Sequence, residues 1–101
     1  MQYIRVVHVI SRKAFSAFAV KYPDSAEPLA SWYRIISRNA FRNISELRNA
    51  FNSVDAVAGP YVFNIGGNKY RLVAAVHFNG GRVYIRHLMT HSEYDKGTWK
   101  K

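Results

Sequence analysis

The feature that most restricts the fold is a pair of alternating segments on either side of Asn79-Gly80-Gly81. These three residues tolerate the positive φ angles that a tight β-hairpin requires. Residues 69–78 and 82–90 are rich in β-branched and aromatic side chains, which predicts two long antiparallel strands. A two-residue loop, at Asn79-Gly80 or Gly80-Gly81, keeps Arg86 off the apolar face. A three-residue loop would bury Arg86 among apolar side chains, and the cost of burying that charge argues against it.

Alternation divides the side chains of these two strands between the two faces of a sheet. One face is apolar and carries Leu72, Ala74, Val76 and Phe78 beside Val83, Ile85 and His87. The other face carries Lys69, Arg71, Val73, Ala75 and His77 beside Tyr84, Arg86 and Leu88. This alternation sets the imidazoles of His77 and His87 on opposite faces. We expect helices to cover the apolar face and the cationic face to stay open.

The remaining strands are predicted near the N-terminus and before the long hairpin. Residues 3–9 are β-branched and aromatic enough for an opening strand, and residues 61–65 predict another. Gly66-Gly67-Asn68 connects the second of these to the long hairpin as a turn. The opening strand is expected to pair with one of the last three strands, in either direction.

Helical spacing fills the interval between the opening strand and Pro60. One helix is predicted from its cap at Ser11 to the stop at Tyr22-Pro23, and a second from a cap at Asp24 or Ser25. The second helix has an apolar stripe at Leu29, Trp32, Tyr33, Ile36 and Ala40, with Arg34 and Arg38 on its solvent side. Ser45, Arg48 and Phe51 indicate a short third helix. This order predicts one α+β domain over residues 1–101, with two or three helices on one face of a small, mainly antiparallel sheet.

Charge and composition restrict the function. Fifteen Lys and Arg residues oppose six acidic residues, and the net charge of +9 favours a polyanionic partner without identifying it. The absence of cysteine excludes disulfides, thiolate catalysis and Cys-ligated zinc. The apolar run at residues 6–10 is too short for a secretory or membrane segment. We therefore expect a cytoplasmic protein with no membrane partner.

Residues 90–96 carry the densest group of reactive side chains. Thr90 or Ser92 is suited to cap a helical turn, on which His91, Tyr94 and Asp95 fall at i, i+3 and i+4 and share one face. An imidazole beside a phenol and a carboxylate is suited to acid–base chemistry. A polar helix cap with a tyrosine packed back on the sheet is the alternative that spacing alone leaves open.

The available side chains suit RNA cleavage better than other chemistries. The His spacing matches no common metal motif, the Gly66-Gly67 turn lacks the spacing of a dinucleotide-binding loop, and no serine lies in a nucleophile elbow. RNA carries its own nucleophile in the 2′-hydroxyl, so an enzyme needs cations for the phosphate and groups that transfer protons. We therefore expect no metal and no cofactor. A solvated cationic face without a specific role remains the alternative.

Three segments resemble the HigB family of type II toxin–antitoxin toxins, within the wider RelE/ParE-like superfamily. They are residues 62–73 (VFNIGGNKYRLV), 83–86 (VYIR) and 90–96 (THSEYDK). The helical pairs Pro28-Leu29 and Trp32-Tyr33, after Lys21-Tyr22-Pro23, also look like that family. The resemblance implies a RelE-like fold and an mRNA interferase that cuts translated mRNA on the ribosome. It also implies a HigA-like helix-turn-helix antitoxin, through which alone the complex would bind operator DNA.

The resemblance also assigns expected roles to residues. Arg71 is expected to stabilise the scissile phosphate, His91 to shuttle protons, Tyr94 to stack a base or assist proton transfer, and Asp95 to orient His91. Further phosphate or RNA contacts are expected from Lys69, Arg86, Tyr84, Arg82 and Lys96. The tail at residues 97–101 is expected to fray, or else to form part of an antitoxin-docking helix. Two other functions stay open: a non-catalytic RNA- or ribosome-binding module, and a ParE-like inhibitor of DNA gyrase.

Overall fold

Of the helices in the described residues, the three that precede the long strands cover one face of the sheet, and the fourth follows the last strand. The computed structural model describes residues 8–10, 13–57, 59–97 and 99. Its helices are α1 (Lys13–Lys21), α2 (Ala26–Arg38), α3 (Ile44–Ala50) and α4 (His91–Lys96), with a 3₁₀ turn at Pro23–Ser25 between α1 and α2. Within these ranges no helix has the length and hydrophobicity needed to cross a membrane.

The helix boundaries follow local capping groups. α1 ends before Tyr22-Pro23 as predicted, whereas its predicted cap at Ser11 lies outside the described residues. Ser25 is the residue that precedes α2, but its hydroxyl donates to the carbonyl of Tyr22 (2.7 Å) rather than capping the helix. The predicted stripe of α2 is buried at Leu29, Trp32 and Ile36.

Ala40 does not belong to that stripe. α2 ends at Arg38, and Ala40 is exposed beyond it. The physical reason is the extended backbone of Asn39, whose side-chain amide donates to the carbonyl of Ile35 (2.7 Å) and closes the last turn. The third helix is capped by the Asn43 side chain, which accepts from the backbone N–H of Glu46 (3.0 Å).

In the described part of the chain, five strands form one sheet. They are β1 (His8–Ile10), β2 (Asp55–Ala56), β3 (Tyr61–Ile65), β4 (Tyr70–His77) and β5 (Arg82–Thr90), in the spatial order β1-β5-β4-β3-β2. β1 runs parallel to β5, and the other neighbours are antiparallel. The expected α+β fold with a mainly antiparallel sheet is confirmed. β2 was not predicted, and residues 3–7 of the predicted opening strand lie outside the described residues.

A β-bulge interrupts the long hairpin. Next to the turn, His77 pairs with Arg82, as a loop at Asn79-Gly80 requires. Further along, Val73 pairs with His87 but Ala74 pairs with Ile85, so Arg86 is an extra residue on β5.

The bulge changes the face to which the later residues of β5 belong. Leu88 packs with the helix-side core, whereas Met89 packs on the opposite face. His87 pairs with Val73 and lines a groove on that opposite face. The expectation that Leu88 shares the face of Arg71, and that His87 lies under the helices, is therefore wrong. His77 lines the same groove, so His77 and His87 lie on one face rather than on opposite faces.

Each face of the sheet carries an apolar cluster. The larger lies under the helices and includes Trp32, Phe63 and Leu72. The smaller, on the opposite face, joins Val62, Val73 and Met89, with Val57, Tyr94 and Trp99 packed against it. The face predicted to be open is thus partly covered where α4 crosses it.

Candidate active site

The start of α4 is held firmly against the end of β5. Thr90 and Glu93 form a capping box: the Thr90 hydroxyl accepts from the Glu93 N–H (3.1 Å), and the Glu93 carboxylate accepts from the Thr90 N–H (2.9 Å). The backbone N–H of His91 donates to the carbonyl of Lys69 (2.9 Å), which ties α4 to the turn before β4. Gly97 ends the helix in the left-handed conformation. These bonds fix the backbone of His91 beside β4, as the predicted cap at Thr90 requires.

The turn between β3 and β4 holds the guanidinium of Arg71. Gly66 and Gly67 have φ angles of +63° and +69°, a conformation that favours glycine and that positions Asn68 next to Arg71. Arg71 Nη2 donates to Asn68 Oδ1 (2.6 Å), and Nη1 donates to the carbonyls of Tyr70 (3.1 Å) and Asn68 (3.3 Å). Arg71 is only 7 % exposed. The guanidinium is therefore preorganised rather than a mobile surface charge.

The imidazole of His91 lies between this guanidinium and a carboxylate. Arg71 Nη2 is 2.7 Å from His91 Nδ1, and His91 Nε2 is 3.0 Å from Asp95 Oδ2. Because a guanidinium only donates, Nδ1 accepts this bond and carries no proton. The proton is then on Nε2 and is donated to Asp95. The predicted i, i+4 contact between His91 and Asp95 is formed, and their side chains are 41 % and 60 % exposed.

Tyr94 completes the cluster through its ring. The Arg71 guanidinium lies over the Tyr94 ring, 5.6 Å from its centroid. Trp99 stacks on the same ring at 5.2 Å and an interplanar angle of 18°, and its indole N–H donates to the Tyr94 carbonyl (3.1 Å). The expected frayed end is therefore wrong at Trp99, which packs against α4. Because its ring already contacts a guanidinium and an indole, Tyr94 is a poorer platform for a base than the sequence suggested.

Lys69 points away from this cluster. Its ammonium binds Asp24 Oδ2 (2.9 Å), and the Tyr70 hydroxyl donates to Asp24 Oδ1 (2.5 Å). The hydrogen bond from Tyr70, with that from Lys69, lowers the pKa of Asp24. The hydrogen bond to Asp24 raises the pKa of Tyr70 to about 12. Lys69, Tyr70 and Asp24 thus link the 3₁₀ turn between α1 and α2 to the turn between β3 and β4 that holds Arg71. The structure does not bring the Lys69 charge to Arg71.

The other four predicted RNA contacts are spread over the sheet and α4. Tyr84 is half-buried on the expected face with its ring edge-on to His77 (5.2 Å), and Arg86 is exposed at the bulge. Arg82 is exposed at the hairpin end of β5. It lies seven residues from Met89, which pairs with Arg71, or about 20 Å at the usual rise of a strand. Lys96 is exposed in the last turn of α4. On the sheet, Arg86 lies at the bulge near Val73, and Tyr84 lies two residues further towards the hairpin end, paired with Ala75.

Two residues of this region were missed from the sequence. Asn68 was assigned only to a turn, and Trp99 only to the tail. The Gly-Gly pair directly before Asn68 indicated a tight turn, because glycine readily adopts the left-handed conformation, but the contact of the Asn68 side chain with Arg71 left no pattern of its own. Trp99 carried no signal, since its contact with Tyr94 depends on how the chain turns after Gly97.

The arrangement combines an anion-binding cation with a proton acceptor. Arg71 offers donors suited to phosphate oxygens, and His91 Nδ1 is unprotonated beside it. Asp95 is positioned to stabilise the imidazolium that forms when Nδ1 takes a proton. Within the ranges described, no three His, Asp or Glu side chains lie close enough together to hold a metal ion.

Comparison with known proteins identifies relatives of this chain. The model of the HigB toxin family, described as the RelE-like toxic component of a toxin–antitoxin system, matches residues 25–97. The chain is 38 % identical over 95 residues to the mRNA interferase HigB of Escherichia coli O6:H1 strain CFT073, covering 91 % of this chain and 92 % of the relative. It is 39 % identical over 92 residues to the mRNA interferase toxin HigB of Escherichia coli K12 and to the mRNA interferase HigB of Shigella flexneri, covering 88 % of each chain.

Proposed function

Because this chain belongs to the HigB family of toxin–antitoxin toxins, and is by that membership an endoribonuclease, we propose that it cleaves mRNA at the Arg71–His91–Asp95 cluster. The observation that carries the proposal is the 2.7 Å contact between Arg71 Nη2 and His91 Nδ1. This distance supports the proposal, because a cation for the phosphate and a base for the neighbouring hydroxyl must lie this close together to act on one nucleotide linkage. The names of the relatives favour this function over gyrase inhibition and over a non-catalytic module.

Substrate binding is expected to release the base. A phosphate oxygen carries negative charge and accepts more strongly from a guanidinium than a neutral imidazole does. Arg71 therefore exchanges its bond to His91 for one to the scissile phosphate. His91 Nδ1 is then free beside the 2′-hydroxyl, while Asp95 still holds Nε2.

The reaction needs only this chain's side chains and the RNA. His91 Nδ1 takes the 2′-hydroxyl proton as the 2′ oxygen bonds to phosphorus, and Arg71 stabilises the negative charge on the phosphate oxygens. The bond from phosphorus to the 5′ oxygen then breaks, and His91 returns the proton to that oxygen. The products are a 2′,3′-cyclic phosphate and a 5′-hydroxyl. Tyr94 supports the guanidinium from its ring face.

The proposed partners follow from the family and the charge. Family membership implies an antitoxin partner and an RNA substrate. We propose that the antitoxin is a HigA-like helix-turn-helix protein, and that operator DNA is bound only through the antitoxin complex. The net charge of +9 favours association with mRNA on the ribosome, in the cytoplasm.

Cleavage in a reconstituted translation system tests the function. Ribosomes translating a defined mRNA are mixed with the wild type, His91→Ala or Arg71→Ala, and new 5′ ends are mapped. The wild type should cut within the translated region, the variants should not, and the exposed-cation control Arg38→Ala should cut normally. Intact mRNA together with inhibited gyrase would establish the ParE-like alternative. RNA binding without cleavage would establish a binding module.

A further inference from the structure

A groove on the sheet begins beside the catalytic cluster. Its volume is about 550 Å³, within the range that holds a small ligand. Residues that line it include Tyr61, Val73, His77, Arg86, His87 and Trp99. Val73 is two residues beyond Arg71 on the same face of β4, or about 7 Å along the strand. A nucleotide adjoining the scissile linkage can therefore reach the groove.

The β-bulge gives this groove its polar groups. In a regular ladder Arg86 and His87 would face opposite sides, but at the bulge both line the groove. Arg86 is exposed and, among the residues that the structure describes, has no carboxylate partner. The bulge thus adds an unneutralised guanidinium to an imidazole on one wall.

Trp99 supplies an aromatic surface at the end nearest the cluster. Stacking on Tyr94 and the hydrogen bond from its indole N–H hold it in place, with the His87 ring edge-on at 6.2 Å. His87 and Trp99 also border a second hollow of about 420 Å³, which Lys96 lines together with Glu93, whose carboxylate accepts from the Thr90 N–H. An aromatic pair therefore lies between two cations, Arg86 on one side and Lys96 on the other.

We propose that this groove binds the nucleotide adjacent to the cleaved linkage, with its unpaired base against Trp99 and His87 and its phosphate on Arg86. The combination of a stacking ring and flanking cations is the one that binds single-stranded nucleic acid, whereas a peptide would need main-chain hydrogen-bond partners. The inference rests on the proposed function, because it extends the same RNA beyond Arg71. It gives Trp99, His87 and Arg86 a role in choosing which linkage is presented to the cluster.

Oligonucleotides of two lengths test the groove. The probes are a 2′-deoxy-substituted RNA dinucleotide, which spans one linkage, and trinucleotides extended by one residue on the 5′ or the 3′ side. Affinities are measured by NMR titration on backbone amide signals in every variant. The indole N–H signal of Trp99 is an added reporter wherever that residue is present, with that of the buried Trp32 as internal reference. One of the trinucleotides should bind about 5- to 150-fold more tightly than the dinucleotide, as expected for one stacked base. It should also shift the Trp99 signal.

Variants separate the groove from the catalytic cluster. Trp99→Ala should reduce the affinity ratio of trinucleotide to dinucleotide to about one, His87→Ala should reduce it partly, and Arg38→Ala should preserve it. Arg86→Ala should reduce the slope of log affinity against log salt concentration by about one for trinucleotide binding, because one phosphate contact is lost. Equal affinity of all probes for the wild type, or a full ratio in both Trp99→Ala and Arg86→Ala, would overturn the proposal. Failure of the proposed function has a different signature: Arg71→Ala would leave dinucleotide affinity unchanged and RNA cleavage intact.

Discussion

Replacing Arg71 should disable cleavage by an amount that the structure allows us to work out. Arg71→Ala removes the group that meets the developing charge on the phosphate. The loss of one such preorganised donor costs about 100- to 1,000-fold in rate, or about 2.7–4 kcal/mol of barrier. Because Asn68 and Tyr70 still hold Nη1 and Nη2 after the bond to His91 is exchanged, the guanidinium reorganises little on binding, which favours the upper end of that range.

The same substitution should also affect folding. Arg71 is 7 % exposed, and its removal leaves the Tyr70 carbonyl without this donor. An unsatisfied buried polar group costs about 1–3 kcal/mol of stability. The variant Arg71→Lys keeps the charge but loses the planar fork, so it should recover most of the stability and only part of the rate.

The assay must therefore separate rate from fold. Single-turnover cleavage is measured on ribosome-bound mRNA at saturating toxin, and the free energy of unfolding is measured by urea denaturation of each variant. Arg38→Ala is the matched control, because it removes an exposed cation from α2. Cleavage by a folded Arg71→Ala within about threefold of wild type would refute the role of Arg71, since it is far below the effect of losing a transition-state donor.

Three other perturbations test neighbouring parts of the account. His91→Ala should slow single-turnover cleavage by about 100- to 10,000-fold. Adding Asp95→Ala to that variant should slow cleavage little further, because the two residues act as one unit. If the double variant instead shows the product of the two single effects, His91 and Asp95 act independently. Asn68→Ala should lower the free energy of unfolding by about 1–2 kcal/mol, because it removes one hydrogen bond to a charged group, and should slow cleavage in the same assay; an unchanged rate would show that Asn68 does not position Arg71. The raised pKa of Tyr70 (about 12) means that the folded protein keeps this proton between pH 10 and 12 while the unfolded chain loses it, so the contribution of Tyr70 to stability falls as pH rises through that window. In urea denaturation, the free energy of unfolding should fall more between pH 9 and pH 11 for the wild type than for Tyr70→Phe. Equal decreases would contradict the contact of Tyr70 with Asp24.

The local parts of the fold and site were predictable from the sequence. The bounds of β3 and β5, the cap at Thr90 and the spacing of His91 with Asp95 all depend on residues close together in the chain. Their physical causes are strand propensity, a capping box and helical periodicity, each of which leaves a pattern in the sequence.

The parts that were mispredicted depend on tertiary contacts. The bulge at Arg86 exchanged the faces of His87 and Leu88, and no glycine or proline marks it on β5. The side chain of Lys69 turned to Asp24, which is 45 residues away in the sequence. Alternation could not anticipate that partner, because it assigns a side chain to a face but does not identify what it binds. The burial of Arg71 likewise depends on α4 crossing a face that alternation left open.

The chemistry of the cut ends tests the central claim most directly. A defined mRNA is translated in the reconstituted system with wild-type protein, once as all-ribose and once with a single 2′-deoxy nucleotide on the 5′ side of the cleaved linkage. If Arg71 and His91 act on one linkage as proposed, the all-ribose RNA yields a 2′,3′-cyclic phosphate and a 5′-hydroxyl, and the substituted linkage stays intact. Ends carrying a 3′-hydroxyl and a 5′-phosphate, or cleavage at the substituted linkage, would contradict the account.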